Sequence, residues 1–193
     1  MIFLLASNPQ TLYMSHYLGQ LSNKMGQDVL ELFFKYPQKE FQIRGIAKFL
    51  KIPKSNVERQ ISNLLERGLI LKQKGNVFLY FIANESDPFY RFYKREYALE
   101  KILKSKLADY LEEHLRPKCI ILFGSFAKAE YTGASDIDLF VQSEESTVDL
   151  SMFEKKLKHK INIIFEPSFS KLSIELSNNI INGIKLSGFI KLR

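Results

Sequence analysis

The sequence predicts an α+β chain with a helical first part, a long connecting helix and a C-terminal α/β domain with a small mixed sheet. Three observations carry that expectation. Residues 25–85 show three helical stretches and then two short apolar runs around a glycine. Residues 87–115 keep helical periodicity throughout. From Lys118 onward, short apolar runs alternate with helical ones, which is the pattern of an α/β sheet. The expected spans are 25–85, 87–115 and 116–193.

In the first span, Asp28–Phe34 reads as a helix that stops before Pro37. Ile43, Ile46, Ala47 and Leu50 recur at helical spacing and form a second. Gly45 falls inside it and weakens it by up to ~1 kcal/mol, unless it allows close helix packing. Lys51–Lys54 is a turn, and Ser55 is the expected N-cap of a third helix whose buried stripe is Val57, Ile61, Leu64 and Leu65. Arg67-Gly68 ends that helix. Leu69–Lys72 and Val77–Ile82 read as strands joined by a tight turn at Lys74-Gly75-Asn76. This order resembles the winged helix-turn-helix family of DNA-binding domains. The resemblance implies that the third helix enters the major groove of a DNA duplex. Its outward residues would be Lys54, Asn56, Arg59, Gln60 and Asn63, with Lys72 and Lys74 on the wing near phosphates.

Charge agrees with an anionic partner for this span. The net charge is +7, but residues 24–83 alone carry +6, residues 84–115 carry −1 and residues 116–193 carry +2. Basic excess confined to one segment is the electrostatic footprint of nucleic-acid binding.

Residues 87–115 place Phe89, Phe92, Tyr93, Tyr97, Leu103, Leu107 and Leu111 at helical spacing. One continuous helix would be about 40 Å long. Its apolar face must pack on the first domain, on the last, or on a second copy of the chain, so a homodimer is one expectation. The favoured expectation puts its first half on the winged domain and its second half on the C-terminal sheet. The aromatics read as core in preference to a base-stacking platform.

In the last span the expected strands are Cys119–Phe123, Asp136–Gln142 and Ile161–Phe165. Helices are expected at Phe126–Glu130, at Val148–Lys160 with Met152, Phe153 and Leu157 inward, and at Phe169–Ile184. Phe189-Ile190 is the candidate edge strand. The chemistry is concentrated at Gly124-Ser125, followed after ten residues by Asp136-Ile137-Asp138. Residues i and i+2 of a strand share a face, so the two carboxylates project together. Adjacent carboxylates repel unless a cation lies between them. Hard divalent cations take oxygen ligands and retain phosphate oxygens in their shell. The Gly-Ser turn offers backbone N–H groups to such phosphates.

Leu122–Val141 resembles the signature of the minimal nucleotidyltransferases of the polymerase-beta superfamily, including Ser135 just before the first Asp. The resemblance implies Mg²⁺ (or Mn²⁺) on Asp136 and Asp138, and a nucleoside triphosphate as substrate. Gly124, Ser125, Lys128 and Ser135 would face its phosphates. Implied acceptors are a small molecule, an RNA end, or a protein hydroxyl, as in antitoxins that modify a small all-helical partner. One position departs from the pattern. Many members carry a third carboxylate on the next strand, where this chain has Asn162. Glu166 is roughly 13 Å further along that strand. The competing expectation is therefore a transcriptional regulator whose transferase-like domain senses a nucleotide without turnover.

Other classes find little support. No apolar run approaches the roughly eighteen residues needed to span a bilayer. Met1–Ala6 is apolar but lacks a basic flank, and reads as a short strand or tail. The single cysteine, Cys119, reads as a buried small side chain and fits a reducing cytoplasm. His16, His114 and His159 lack metal-ligand spacing, and the latter two are expected at the surface.

Overall fold

The computed structural model describes residues 27–75 and 77–190. The Met1–Ala6 segment and His16 lie outside the described residues. The chain divides into two compact units at Asn84/Glu85.

The N-terminal unit contains helices α1 (Gln27–Lys35), α2 (Ile43–Leu50) and α3 (Lys54–Glu66), then strands β1 (Ile70–Lys74) and β2 (Leu79–Ala83). Val29, Phe33, Ile46, Val57, Ile61, Leu64 and Ile70 form its core. Phe41 pairs through its backbone with Phe81, and its ring meets Phe33 edge-on at 5.2 Å. Asn84 closes the unit by donating its amide to the Gly68 carbonyl at 2.8 Å. Three expectations need correction. The α3 N-cap is Pro53, not Ser55, because the ψ of 140° at Pro53 keeps that residue outside the helix, which starts at Lys54. The hairpin is wider than a tight turn: Lys74 pairs with Leu79, and Val77 and Phe78 lie in the loop. Gly45 serves no close packing, since a side chain there would meet nothing.

The C-terminal unit opens with helices α4 (Pro88–Ser105) and α5 (Leu107–Leu115). The expected single long helix is thus two. Lys106 takes a left-handed φ of 70° between them. Buried Ser105 explains the break: its hydroxyl donates to the Ile102 carbonyl at 2.6 Å and accepts from Leu107 N–H at 3.2 Å. A serine side chain bonded to nearby backbone competes with continued helix.

Strands β3 (Cys119–Phe123), β4 (Ile137–Val141), β5 (Ile161–Phe165) and β6 (Ile184–Gly188) form one mixed sheet in the order β5-β4-β3-β6. β3 runs antiparallel to β4 and β6, whereas β4 and β5 are parallel. Between strands lie α6 (Gly124–Ala127), α7 (Ser151–Leu157), a 3₁₀ turn (Phe169–Lys171) and α8 (Ile174–Ile181). Every residue of β3 is buried, so both faces of the sheet are covered. On one face Cys119, Ile121, Phe123, Phe140, Phe169 and Ile180 pack together.

Several boundaries differ from the sequence expectation. Phe153 and Leu157 are inward as expected, but Met152, in the first turn of α7, is 64% exposed. The expected helix 169–184 is interrupted, with Ser173 capping α8 through a 3.2 Å bond from Leu176 N–H. The edge strand is Ile184–Gly188, five residues earlier than Phe189-Ile190. No helix among the described residues is long and apolar enough to cross a membrane.

Candidate nucleotidyl-transfer site

β3 carries the chain out of the buried sheet to Gly124, and β4 returns beside it with Phe123 opposite Asp138. This register sets the Gly-Ser turn against the carboxylates. Gly124 has a φ of +70°, which L side chains rarely adopt. A Cβ there would also collide with Asp138 Oδ2. Glycine is therefore required twice, once by backbone conformation and once by the approach of the carboxylate.

β5 adds the third component. Its parallel register places Asn162 opposite Asp138. The Asn162 amide nitrogen donates to Asp136 Oδ2 and to Asp138 Oδ1, each at 3.2 Å. Asp136 lies one residue before β4, yet its carboxylate still converges with that of Asp138 on a single point. A partly positive N–H₂ group stands at that point, which is where a cation would be stabilised. The donor chemistry thus fits a hard divalent ion held by two carboxylates, with the amide oxygen of Asn162 as a neutral third ligand after rotation. No group of three or more His, Cys, Asp or Glu that could hold a metal occurs among the described residues. Glu166 is turned to other work, accepting from Ser168 N–H at 3.1 Å.

The loop before Asp136 is tied in place. Ser135 Oγ accepts from Thr132 N–H at 2.9 Å, and the Ser135 carbonyl contacts His159 Nδ1 at 2.7 Å. His159 is half-buried, with its ring edge-on to Phe126 at 5.0 Å, so the expectation of a surface histidine was wrong for this residue. His114 is at the surface, over Tyr110. Phe126 stacks on Tyr131 at 4.3 Å, and the Tyr131 hydroxyl donates to the Lys94 carbonyl on α4. Lys128 is exposed just after α6 and donates to Asn179 Oδ1 of α8 at 3.2 Å.

Lys94 is the residue that the sequence reading missed. It is fully buried, and its Nζ has no hydrogen-bond partner among the described residues. It lies 4.9 Å from the centre of the Tyr131 ring and 5.8 Å from that of Tyr90. Burial lowers its pKa to about 8, against the opposing pull of Glu85 and Glu130. Burial likewise pushes the Tyr90 phenol well up. The signal was present in the spacing, because position 94 falls between Tyr90 and Tyr97 on the buried stripe of α4. Cys119 is buried as expected, and burial raises its thiol pKa.

In the N-terminal unit, Lys54, Asn56, Arg59, Lys72 and Lys74 are exposed, and Asn63 is half-exposed. Lys54 pairs with Glu58 at 2.7 Å. Gln60 departs from the expected outward face: its side-chain oxygen is buried, since position 60 borders the Val57–Ile61–Leu64 stripe, and has no hydrogen-bond partner among the described residues.

Residues 105–188 match the family model described as Polymerase beta, Nucleotidyltransferase. That segment runs from the end of α4 to the end of β6 and includes all three residues that meet at Asn162. The match supports the nucleotidyltransferase superfamily and a nucleotidyl-transfer type of activity for this domain. No curated protein and no solved structure matches the chain.

Proposed function

We propose that the C-terminal unit transfers a nucleoside monophosphate from a nucleoside triphosphate to an acceptor hydroxyl. The observation that carries this reading is the convergence of Asp136 and Asp138 on one point beside the Gly124 turn. Asp136 and Asp138 would hold Mg²⁺ or Mn²⁺. When bound, such an ion neutralises phosphate charge and polarises the reacting phosphorus. Gly124 and Ser125 bind the triphosphate through backbone N–H groups and the Ser125 hydroxyl. Ser135 and His159 keep the Asp136 loop in place, and Lys128 faces the departing phosphates. The acceptor oxygen bonds to the α-phosphorus as the bond to the β-phosphate oxygen breaks, releasing diphosphate. One of the two aspartates takes the acceptor proton, because the amide of Asn162 is too weak a base.

The N-terminal unit is proposed to be a winged helix-turn-helix that binds duplex DNA. Its α3 presents Asn56, Arg59 and Asn63, and its hairpin presents Lys72 and Lys74. A second copy of the chain and a small helical partner protein acting as acceptor are compatible with this assignment. The test is incubation with labelled nucleoside triphosphates, Mg²⁺ and candidate acceptors, including the product of the adjacent gene. Label should move to an acceptor and remain unmoved with Asp136→Asn/Asp138→Asn.

A second reading rests on Asn162. An amide replaces negative charge at the third position, which favours nucleotide sensing over turnover. Asn162→Asp separates the two. Under the sensing reading, it raises Mg²⁺ affinity and turns on transfer from a negligible level. A fall in both would give Asn162 a different role from that of a neutral third ligand.

A further inference from the structure

Lys94 carries a charge that burial disfavours, and the groups around it lead to the phosphate turn. Its ammonium is fully buried on α4 and has no hydrogen-bond partner among the described residues. A buried charge without such a partner opposes folding. The groups that face it come from two places. On its own side are the Tyr90 ring, 5.8 Å from Nζ, and the carboxylate of Glu85 just before α4. From the segment after α6 come the Tyr131 ring, at 4.9 Å, and the carboxylate of Glu130. Both carboxylates act through space to favour the protonated amine, against the larger effect of burial.

Glu130 and Tyr131 belong to the segment that closes the phosphate turn. Glu130 N–H donates to the Ser125 carbonyl at 2.8 Å, and Lys128 N–H donates to that of Gly124 at 3.2 Å. Tyr131 stacks on Phe126 of α6 at 4.3 Å, within 9° of parallel, and its hydroxyl donates to the Lys94 carbonyl at 3.2 Å. Thr132 N–H, next in the chain, donates to Ser135 Oγ, one residue before Asp136. Residues 124–136 thus run as one tied segment from the Gly-Ser turn to the first carboxylate. Tyr131 pins that segment to α4.

The segment is strained at one point. Ala129 has a φ of 59°, in the left-handed region that a residue with a Cβ rarely adopts. Such a conformation persists only when surrounding contacts over-determine it. The Lys94 ammonium acts on both residues that follow Ala129, on Glu130 by charge and on Tyr131 through the face of its ring. We infer that Lys94 is a positioning residue: its buried ammonium draws Glu130 and Tyr131 onto α4 and so holds the left-handed turn at Ala129 that sets Ser125 for the phosphates of a nucleotide. The nucleotide part rests on the transferase reading above; the hold on the segment does not. Function and stability then oppose each other at this residue. Truncating an ordinary packing residue lowers both, whereas Lys94→Met should raise stability and lower nucleotide affinity.

The experiment compares the full chain as the parent, Lys94→Met and Glu130→Gln, with two readouts. The first is amide hydrogen exchange at pH 7 without nucleotide or metal. In Lys94→Met the Glu130 and Lys128 amides should exchange about fivefold faster or more, while those of β3 are not accelerated. The second is calorimetric binding of ATP, GTP, CTP and UTP, each with Mg²⁺, from pH 7 to 9.5. For the parent, affinity should be highest below pH 8, where Lys94 is protonated. Above it the tight form must take up a proton, so affinity should fall, by about tenfold per pH unit at most. Lys94→Met should bind about fivefold more weakly or worse at pH 7 and should lack that fall. Glu130→Gln removes a charge that favours the protonated amine, so its fall should begin at lower pH. Equal nucleotide affinity at pH 7 in Lys94→Met and the parent overturns the inference, as does equal exchange of the Glu130 amide. A Lys94→Met chain less stable than the parent at pH 7 would make Lys94 an ordinary packing residue and also overturns it. A fall with pH that persists undiminished in Lys94→Met assigns it to another group and overturns the role of the ammonium. Faster exchange in Lys94→Met, with no nucleotide bound by any of the three chains, would leave the hold on the segment standing and remove the nucleotide reading.

Discussion

The two units differ in how far apart in sequence their functional groups originate. In the N-terminal unit the DNA-facing candidates sit on one helix and the hairpin after it, within residues 54–74. In the C-terminal unit the site joins Gly124, Asp136, Asp138 and Asn162, drawn from a turn and two strands. The first arrangement follows from helical periodicity alone, and each residue can be replaced with local consequences. The second exists only while the β3-β4-β5 register holds, so a single substitution at a contact point should disturb stability and binding together.

Gly124→Ala gives the largest contrast. Its left-handed φ and the collision with Asp138 Oδ2 should cost about 1–3 kcal/mol of stability in the C-terminal unit. Nucleotide binding should be lost with it. A stable variant that binds nucleotide normally would show that the turn does not meet the carboxylate closely.

Lys94→Met tests the opposite kind of residue, a buried charge that opposes stability. The folded pKa, about 8, lies below the unfolded value of 10.5. Below pH 8 both states are protonated and the full penalty, on the order of 3 kcal/mol, is present. As pH rises from 8 to 10.5 the folded state releases its proton first, and the penalty fades. Lys94→Met should therefore stabilise the protein most below pH 8, and the difference should shrink above it. Denaturant melts at pH 6, 7.5 and 9.5 check this, and a gap that widens with pH would contradict the buried, unpaired amine.

In the N-terminal unit the expected effects fall on binding and are separable. Arg59→Ala should reduce discrimination between operator and random DNA by ~1–3 kcal/mol if it reads a base edge. Lys72→Ala or Lys74→Ala should weaken binding to all duplexes about equally and flatten the salt dependence. Fluorescence anisotropy over a salt series measures both. Identical patterns for Arg59→Ala and Lys72→Ala would erase the distinction between the α3 face and the wing.

Where periodicity was strong, the sequence located the elements well. The stripe Val57–Ile61–Leu64 and the apolar run Cys119–Phe123 fall where expected because burial on one or both sides leaves little choice of face. The closeness of Gly124, Asp136 and Asp138 was legible too, because spacing in a signature survives without knowledge of the fold. Boundaries were harder wherever a side chain competes with the backbone. Ser105 breaks a helix from within, and no period reveals a serine that has turned its hydroxyl back on Ile102. The edge strand at Ile184–Gly188 is half-exposed and only weakly apolar, so pairing with β3 decides it. Asn162 could be recognised as a departure from a pattern, but its two bonds to the carboxylates depend on the parallel β4-β5 register. Lys94 was missed and His159 was expected at the surface because charged or polar residues are expected outside, whereas aromatic neighbours flank both.

The central claim is that Asp136 and Asp138 act as one metal and nucleotide site. Thermal unfolding of the full chain should be measured with and without Mg²⁺ and a nucleoside triphosphate, for the parent and for Asp136→Asn/Asp138→Asn. At a hundredfold excess over the dissociation constant, ligand should stabilise the parent by about 2.7 kcal/mol. The double variant should show no stabilisation while remaining folded. Equal stabilisation of the variant and the parent would contradict the account.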